Sequence, residues 1–279
     1  MKDDHSHRPM RKARQDIEAT QSLPDSEQAQ SPAYRLAFAD PDFLCREELR
    51  PVRLQLELLK PQLEMDERQI ASTVVLFGGA RIAEPGSPAK TETLRQMSAY
   101  YEEAREFARK ITERSLETDC TEMVVVTGGG PGVMEAGNRG AADAGGCSIG
   151  LNIVLPHEQE PNRYITPELC FNFHYFGVRK MHFLIRAKVI AVFPGGFGTL
   201  DELFETLTLI QTGRMEQVPV LLFGEAFWRK IVNFDALVEA GTIAAEDLEL
   251  FRFVETADAA LDVIDAWDYS GRRGGIPGR

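Results

Sequence analysis

The sequence predicts an α/β protein with a Rossmann-like, doubly wound parallel sheet and an N-terminal helical extension. Short runs of Val, Ile, Leu and Phe recur along the chain, and each run is continuous rather than alternating. Continuous apolar runs indicate strands that are buried on both faces of a sheet. Three of the runs end in glycine-containing turns that lead into helical stretches, which is the strand, turn and helix order of a parallel sheet.

The first half of the predicted sheet begins at Thr73–Phe77, a run that ends in Gly78-Gly79. A long helix is predicted from Thr91 to Ser115, followed by a second strand from Met123 to Thr127. A helix after this strand leads to later strands over Ser148–Leu155, Phe171–Tyr175, Val189–Phe193 and Val218–Phe223. Further helices are predicted from about Val178 and from Thr199 to about Gln211, and helices close the chain.

Composition divides the chain into four parts. Residues 1–30 contain no aromatic residue and are rich in polar residues, which predicts a disordered tail. Residues 31–72 are predicted as the helical extension, in which Pro51 and Pro61 are expected to interrupt the helix. The Rossmann-like domain is predicted over 73–268, and residues 269–279 are predicted as a flexible tail.

Charge and composition exclude several classes of function. The net charge of -12 argues against a nucleic-acid partner, because phosphate backbones require a basic surface. No apolar run approaches the roughly 18 residues of a membrane span, and the N-terminus has no apolar signal core, so a cytoplasmic protein is expected. The four cysteines have no C-x-x-C pair or histidine at zinc-ligand spacing, which predicts reduced thiols and no metal site.

Ligands of such sheets bind at the carboxyl edge, where the turns after Phe77, Thr127 and Phe193 would converge. The dinucleotide fingerprint requires a third glycine where Val133 stands, and the chain contains no Gly-Lys-Ser or Gly-Lys-Thr triplet. An NAD enzyme and an ordinary P-loop NTPase are therefore disfavoured.

Two motifs at this edge could bind an anion. The glycines of Thr127–Gly132 allow close approach to a phosphate at the start of a helix, although the same turn could be a connection without a ligand. In Pro194–Glu202, Thr199 is the expected N-cap. Thr199 and Glu202 match a capping box, so Glu202 has a structural interpretation beside its functional one, a carboxylate facing a ribose.

Arg179 and Lys180 are predicted in the first turn of a helix, where cations oppose the helix dipole. They could be a solvated pair, or they could bind an anion, for which the guanidinium fork of arginine is suited. Glu135 also lies at a helix start, where an acidic residue is expected on structural grounds alone.

Together these motifs, from Gly128-Gly129-Gly130-Pro131-Gly132 through Arg179-Lys180 to Pro194-Gly195-Gly196-Phe197-Gly198-Thr199, resemble the LONELY GUY (LOG) family. The resemblance runs from about Val74 to Trp228 and implies a phosphoribohydrolase that acts on nucleoside 5′-monophosphates, needs no cofactor and forms a homodimer or a higher homo-oligomer. It implies that Arg179 and Glu202 are the catalytic pair. The substrate-binding residues it implies are Gly129, Gly130, Gly132, Met134, Glu135, Lys180, Gly195, Gly196, Gly198 and Thr199.

The substrate and the reaction have alternatives. The length of the chain resembles bacterial members labelled AMP nucleosidase, so AMP is the preferred substrate and a cytokinin ribotide is the second. A non-catalytic carrier of a nucleotide or of the molybdenum cofactor, on the same fold, is the alternative function. The label lysine decarboxylase, once given to many members, requires a Schiff-base lysine, and neither Lys180 nor Lys188 lies in a recognisable cofactor site.

Overall fold

The computed structural model describes residues 10–20, 25–155 and 160–269. The chain divides into two compact units, Met1–Leu56 and Glu57–Arg279. Residues 1–9 and 21–24 of the predicted N-terminal tail, and residues 270–279 of the predicted C-terminal tail, lie outside the described residues. The described part of the N-terminal tail contains two short helices, α1 (Ala13–Thr20) and α2 (Glu27–Gln30).

The first unit continues with short helical elements: α3 (Pro41–Leu44), the start of α4 (Arg50–Glu67), and 3₁₀ turns at Pro32–Tyr34, Ala37–Ala39 and Glu47–Leu49. The prediction that Pro51 and Pro61 interrupt the helix was wrong, because α4 runs through both. Pro51 is the second residue of the helix, where no intrahelical N–H donor is needed. Pro61 is one of the buried residues of the helix, which continues through it without the hydrogen bond of the missing N–H.

The second unit contains one parallel sheet, which confirms the predicted fold class. Its seven strands in the described residues are β1 (Thr73–Phe77), β2 (Val124–Thr127), β3 (Ser148–Ile153), β4 (Cys170–Phe173), β5 (Ala187–Val192), β6 (Val220–Phe223) and β7 (Arg252–Val254). Their order is β4-β3-β2-β1-β5-β6-β7, and every neighbouring pair is parallel. The chain reverses its winding direction between β1 and β5, which is where such sheets bind ligands.

The helices that connect these strands are α5 (Glu92–Gln96), α6 (Ala99–Leu116), α7 (Val133–Asp143), α8 (Phe176–Leu184), α9 (Phe197–Gln211), α10 (Glu225–Ile231) and α11 (Phe234–Glu239), and α12 (Ala257–Asp265) follows β7. The single helix predicted over Thr91–Ser115 is divided between α5 and α6. At the break, the Ser98 hydroxyl donates to the carbonyl oxygen of Arg95 at 2.7 Å. Serine side chains compete with the helical backbone in this way.

Helices cover both faces of the sheet, because right-handed crossovers place α6 and α7 on one face and α8 and α9 on the other. On the first face, the ring of Phe107 packs 5.7 Å from that of Phe223. On the second, the ring of Phe183 packs 5.0 Å from that of Phe77. All residues of β1, β2 and β6 are buried, as their continuous apolar runs predict. None of the described helices is long and apolar enough to cross a membrane.

Strand β7 was not predicted. It has three residues, and the side chain of Arg252 at its start is exposed. A run of this length has too few apolar positions to indicate a strand by its pattern alone.

Candidate active site

The three glycine-containing turns meet at the carboxyl edge of the sheet, as predicted. Gly79, after β1, donates its N–H to the carbonyl oxygen of Pro194, after β5, at 2.9 Å. The carbonyl oxygen of Gly79 accepts the N–H of Val133, the first residue of α7, at 3.3 Å. The turn after β1 therefore joins the turn after β2 to the turn after β5.

The turn after β2 depends on glycine at two positions. Gly132 is the N-cap of α7 at φ 72°, and a Cβ there would lie 2.5 Å from the carbonyl oxygen of Gly79. Gly129 has φ 74°, and its N–H donates to the Thr127 hydroxyl at 3.0 Å. The N–H of Gly129 thus forms a hydrogen bond within the turn itself. That Gly129 also binds substrate stays a prediction.

The side chains of Asn138 and Asn162 hold the same turn in place by hydrogen bonds. The Asn162 side-chain amide donates to the carbonyl oxygens of Gly129 at 3.1 Å and Gly130 at 3.2 Å. It also donates to Asn138 Oδ1 at 2.8 Å, and that oxygen accepts the Thr127 hydroxyl at 2.6 Å. Asn138 is fully buried. This network holds the carbonyl groups of the turn toward Asn162.

Helix α9 starts earlier than the sequence predicted. Its N-cap is Gly196, not Thr199, which lies in the first turn and is buried. The capping-box interpretation of Glu202 was therefore wrong, since Glu202 lies in the second turn. First-turn amides have no intrahelical acceptor, and those of α9 belong to Phe197, Gly198 and Thr199. Helix starts of this kind are suited to an anion. Gly195 packs directly on Thr199, with no room for a side chain.

Arg179 projects from α8 into the space beside the turn after β2. Its Nε donates to the carbonyl oxygen of Leu151 at 2.7 Å, and the residue is only 8% exposed. A Cβ on Gly128 would lie 2.5 Å from Arg179 Nη2 and 2.7 Å from Met134 Sδ. Gly128 is therefore needed because Arg179 and Met134 occupy the space where a side chain would be.

Glu202 projects from α9 toward Arg179. The closest approach is 3.7 Å, from Arg179 Nη1 to Glu202 Oε1, and the Glu202 side chain is 15% exposed. Burial raises the pKa of Glu202 to about 7, and the charge of Arg179 only partly opposes this rise. Burial also lowers the pKa of Arg179. The site thus holds a carboxyl group that titrates near neutrality beside a desolvated guanidinium.

Lys180 follows Arg179 on α8 but contacts acidic residues of α9. Its Nζ lies 3.0 Å from Glu205 Oε2 and 3.2 Å from Asp201 Oδ2. Lys180, Glu202 and Glu205 line the same small cleft. Lys180 therefore lies near the Arg179–Glu202 pair, where the carboxylates of Asp201 and Glu205 hold it.

Met134 and Glu135 face different surroundings. Met134 lies beside Arg179 and Gly128, as above, whereas Glu135 accepts the hydroxyl of Tyr101, on α6, at 2.9 Å. Glu135 lines a cavity of ≈ 430 Å³ whose other walls are Glu84, Arg139, Glu160, Pro161, Arg163 and Tyr164. Neither Arg179 nor Glu202 lines this cavity.

Sequence reasoning missed three residues that support the site. Both carboxylate oxygens of Glu57 accept backbone N–H groups at the start of α8, from His174 at 2.8 Å and Tyr175 at 3.1 Å. Asn138 could have been recognised as a polar residue among the apolar positions of α7. Glu57 and Asn162 act across long sequence separations, and no local pattern marks them.

Fold and site together define a Rossmann-like α/β protein with a largely buried Arg–Glu pair between glycine turns at the carboxyl edge of its sheet. The family model described as possible lysine decarboxylase matches residues 134–264. The chain is 25% identical over 173 residues to the cytokinin riboside 5′-monophosphate phosphoribohydrolase LOG3 of Arabidopsis thaliana, covering 61% of this chain and 76% of the relative. It is 29% identical over 171 residues to the phosphoribohydrolase LOG of Oryza sativa subsp. japonica, covering 60% and 65%. These similarities confirm the predicted resemblance to the LOG family.

Solved structures also match. The molybdenum cofactor carrier protein of Chlamydomonas reinhardtii is 18% identical, with a TM-score of 0.43, covering 70% of this chain and 95% of that one.

Proposed function

We propose that this protein hydrolyses the N-glycosidic bond of a nucleoside 5′-monophosphate, with AMP as the preferred substrate and a cytokinin ribotide as the second. The observation that carries the proposal is the largely buried Arg179–Glu202 pair, which lies between two glycine turns at the switch point of the sheet. The names of the relatives, which are phosphoribohydrolases of cytokinin riboside 5′-monophosphates, support the same reaction.

The 5′-phosphate would bind at the start of α9. Gly195, Gly196, Gly198 and Thr199 bring backbone N–H groups together there, and the positive end of the helix dipole adds to their attraction for an anion. The turn containing Gly129, Gly130 and Gly132 would form the other side of the nucleotide site, with Met134 beside Arg179.

Glu202 would act on the sugar. Departure of the base breaks the bond between C1′ and the base nitrogen and leaves positive charge on the ribose, which a nearby carboxylate stabilises. Glu202 would also orient the water whose oxygen bonds to C1′, and a proton from that water is taken up by the departing base. Arg179 would bind the phosphate or orient the base. The products are the free base and ribose 5-phosphate.

This role requires Glu202 as a carboxylate. Because its pKa is about 7 in the free protein, kcat/KM should rise with pH through neutrality as the proton leaves.

The positions of the two candidate lysines give no support to a decarboxylase. Lys188 lies near the amino end of β5, at the opposite edge of the sheet, and its Nζ pairs with Glu122 at 3.0 Å. Lys180 is held by Asp201 and Glu205. A Schiff-base lysine needs an unprotonated amine, which such ion pairs oppose.

The test is incubation with AMP and chromatographic detection of adenine. Glu202→Gln keeps the size of the side chain and removes its charge, so it should lower the rate by about 100-fold or more. The matched control is Glu216→Gln, the same change at an exposed position, which should leave the rate unchanged. Binding of AMP to the wild-type protein without release of adenine would instead indicate a carrier.

The expected homodimer is part of the proposal. Large apolar side chains on the surfaces of α8 and α9 are exposed, with Phe197 at 92% and Phe176 at 54%. A contiguous patch of such side chains would be typical of a protein interface. Sedimentation should give twice the chain mass, and Phe197→Asp should shift the protein toward the monomer.

A further inference from the structure

Helices α8 and α9 carry charges of opposite sign where they meet. Helix α8 contributes the cations Arg179 and Lys180, and α9 contributes the carboxyl groups of Asp201, Glu202 and Glu205. Glu205 is three residues after Glu202, so the two side chains are neighbours on the helix surface. Arg179 is the residue that approaches Glu202, whereas Lys180 is bound by the other two acids.

The two ion pairs of Lys180 differ in how far they are shielded from water. The Lys180 side chain is 19% exposed and that of Glu205 is 33% exposed, while Asp201 is 57% exposed. Screening by water weakens pairs between exposed groups, so the Lys180–Glu205 contact is the stronger of the two. It connects α8 to α9 beside the cleft that Glu202 shares with both residues.

We infer that Lys180 and Glu205 are positioning residues for Glu202: their ion pair fixes α9 against α8 and sets the charge around the Glu202 carboxyl group. This inference rests on the proposed function. It assigns Lys180, which the resemblance places in the substrate-binding set, to the support of the carboxylate.

The two members of the pair act on Glu202 in opposite directions. Burial is the main cause of the high pKa of Glu202, and the positive charges of Arg179 and Lys180 lower that pKa. The negative charges of Asp201 and Glu205 raise it. The remaining cleft-lining residues, Phe77, Phe183 and Leu184, carry no charge. Removal of either partner should thus move the titration of Glu202, and the sign of the movement identifies which charge was lost.

The experiment measures the pH profile of kcat/KM for AMP hydrolysis in the wild type, Lys180→Met and Glu205→Gln. Lys180→Met should move the midpoint to higher pH, and Glu205→Gln should move it to lower pH, each by about half a unit or more. Lys180→Arg keeps the charge and should restore a midpoint near that of the wild type. Unchanged midpoints, or shifts of both variants in one direction, would overturn the inference.

A second readout does not depend on turnover. The Glu202 carboxyl carbon can be titrated by NMR in protein labelled with ¹³C at glutamate, with Glu202→Gln identifying its signal. The same opposite shifts are expected. If the wild type releases no adenine, the proposed function fails, and this titration still decides whether Lys180 and Glu205 control Glu202.

Discussion

Arg179 Nη1 approaches Glu202 Oε1 to 3.7 Å, which is too long for a hydrogen bond, whereas Arg179 Nε donates to the carbonyl oxygen of Leu151 at 2.7 Å. The guanidinium is therefore held by the backbone of β3 rather than by its acidic neighbour. Glu202 loses much of its hydration by burial and accepts no side-chain or backbone hydrogen bond from the described chain. An acidic group in these surroundings destabilises the folded protein when it ionises.

Glu202→Gln is accordingly predicted to change how stability depends on pH. The folded-state pKa of Glu202 is about 7, above its ordinary value of 4.5, so the wild type loses stability as pH rises from 4.5 through 7. The glutamine variant has no such proton to lose. It should gain about 1–3 kcal/mol relative to the wild type between pH 4.5 and pH 8. Urea unfolding at several pH values measures this difference, and a constant difference across the range would contradict it.

Gly128→Ala is predicted to displace Arg179. The added methyl group would lie 2.5 Å from Arg179 Nη2, so the guanidinium has to move. A displacement of about 1 Å should lower the rate of AMP hydrolysis about 100-fold. Gly177→Ala is the matched control, because a methyl group there meets no atom within 4 Å. Adenine release from AMP by the two variants is the measurement. Equal rates would show that the position of Arg179 has no influence on turnover.

Asn162→Ala is predicted to loosen the turn after β2. The change removes donors to the carbonyl oxygens of Gly129 and Gly130 and to Asn138, which should lower the free energy of unfolding by about 1–3 kcal/mol. Asn172→Ala, at an exposed position on β4, should change it by less than about 0.5 kcal/mol. Urea unfolding compares the variants, and similar losses in both would remove Asn162 from its supporting role.

Glu57→Ala is predicted to weaken the attachment of α8. Its carboxylate accepts the backbone N–H groups of His174 and Tyr175, and loss of these charge-assisted bonds should cost about 1–3 kcal/mol. Glu67→Ala removes an exposed acid from the end of the same helix α4 and serves as the control. Hydrogen exchange of the α8 amides should accelerate only in Glu57→Ala. Slow exchange in both variants would refute the prediction.

The centre of the sheet was predictable because β1, β2 and β6 are short apolar runs that are buried throughout, and β1 begins and ends where the sequence indicated. The convergence of the turns followed from the rules of parallel sheets. Capping was harder to predict, because the sequence offered Thr199 as an N-cap and the structure uses Gly196. A good capping side chain does not decide a helix start when the preceding turn is fixed by other contacts, here by the Gly79–Pro194 hydrogen bond.

The surroundings of the candidate site were not predictable from local patterns. That Lys180 pairs with α9, and that Glu135 bonds to Tyr101, depends on how helices distant in sequence pack together. The local pattern marked these residues as polar and near the edge of the sheet. It could not indicate their partners, because a polar side chain on a helix has several directions open to it until packing is complete.

The position of Gly79 has a mechanical consequence. Its N–H donates to the carbonyl oxygen of Pro194, in the turn before α9, and its carbonyl oxygen accepts the N–H of Val133, the first residue of α7. The turns on the two sides of the crevice are therefore both hydrogen-bonded to Gly79. The two halves of the sheet cannot separate there without breaking these bonds. The spacing of the two turns is therefore set by main-chain hydrogen bonds rather than by side chains.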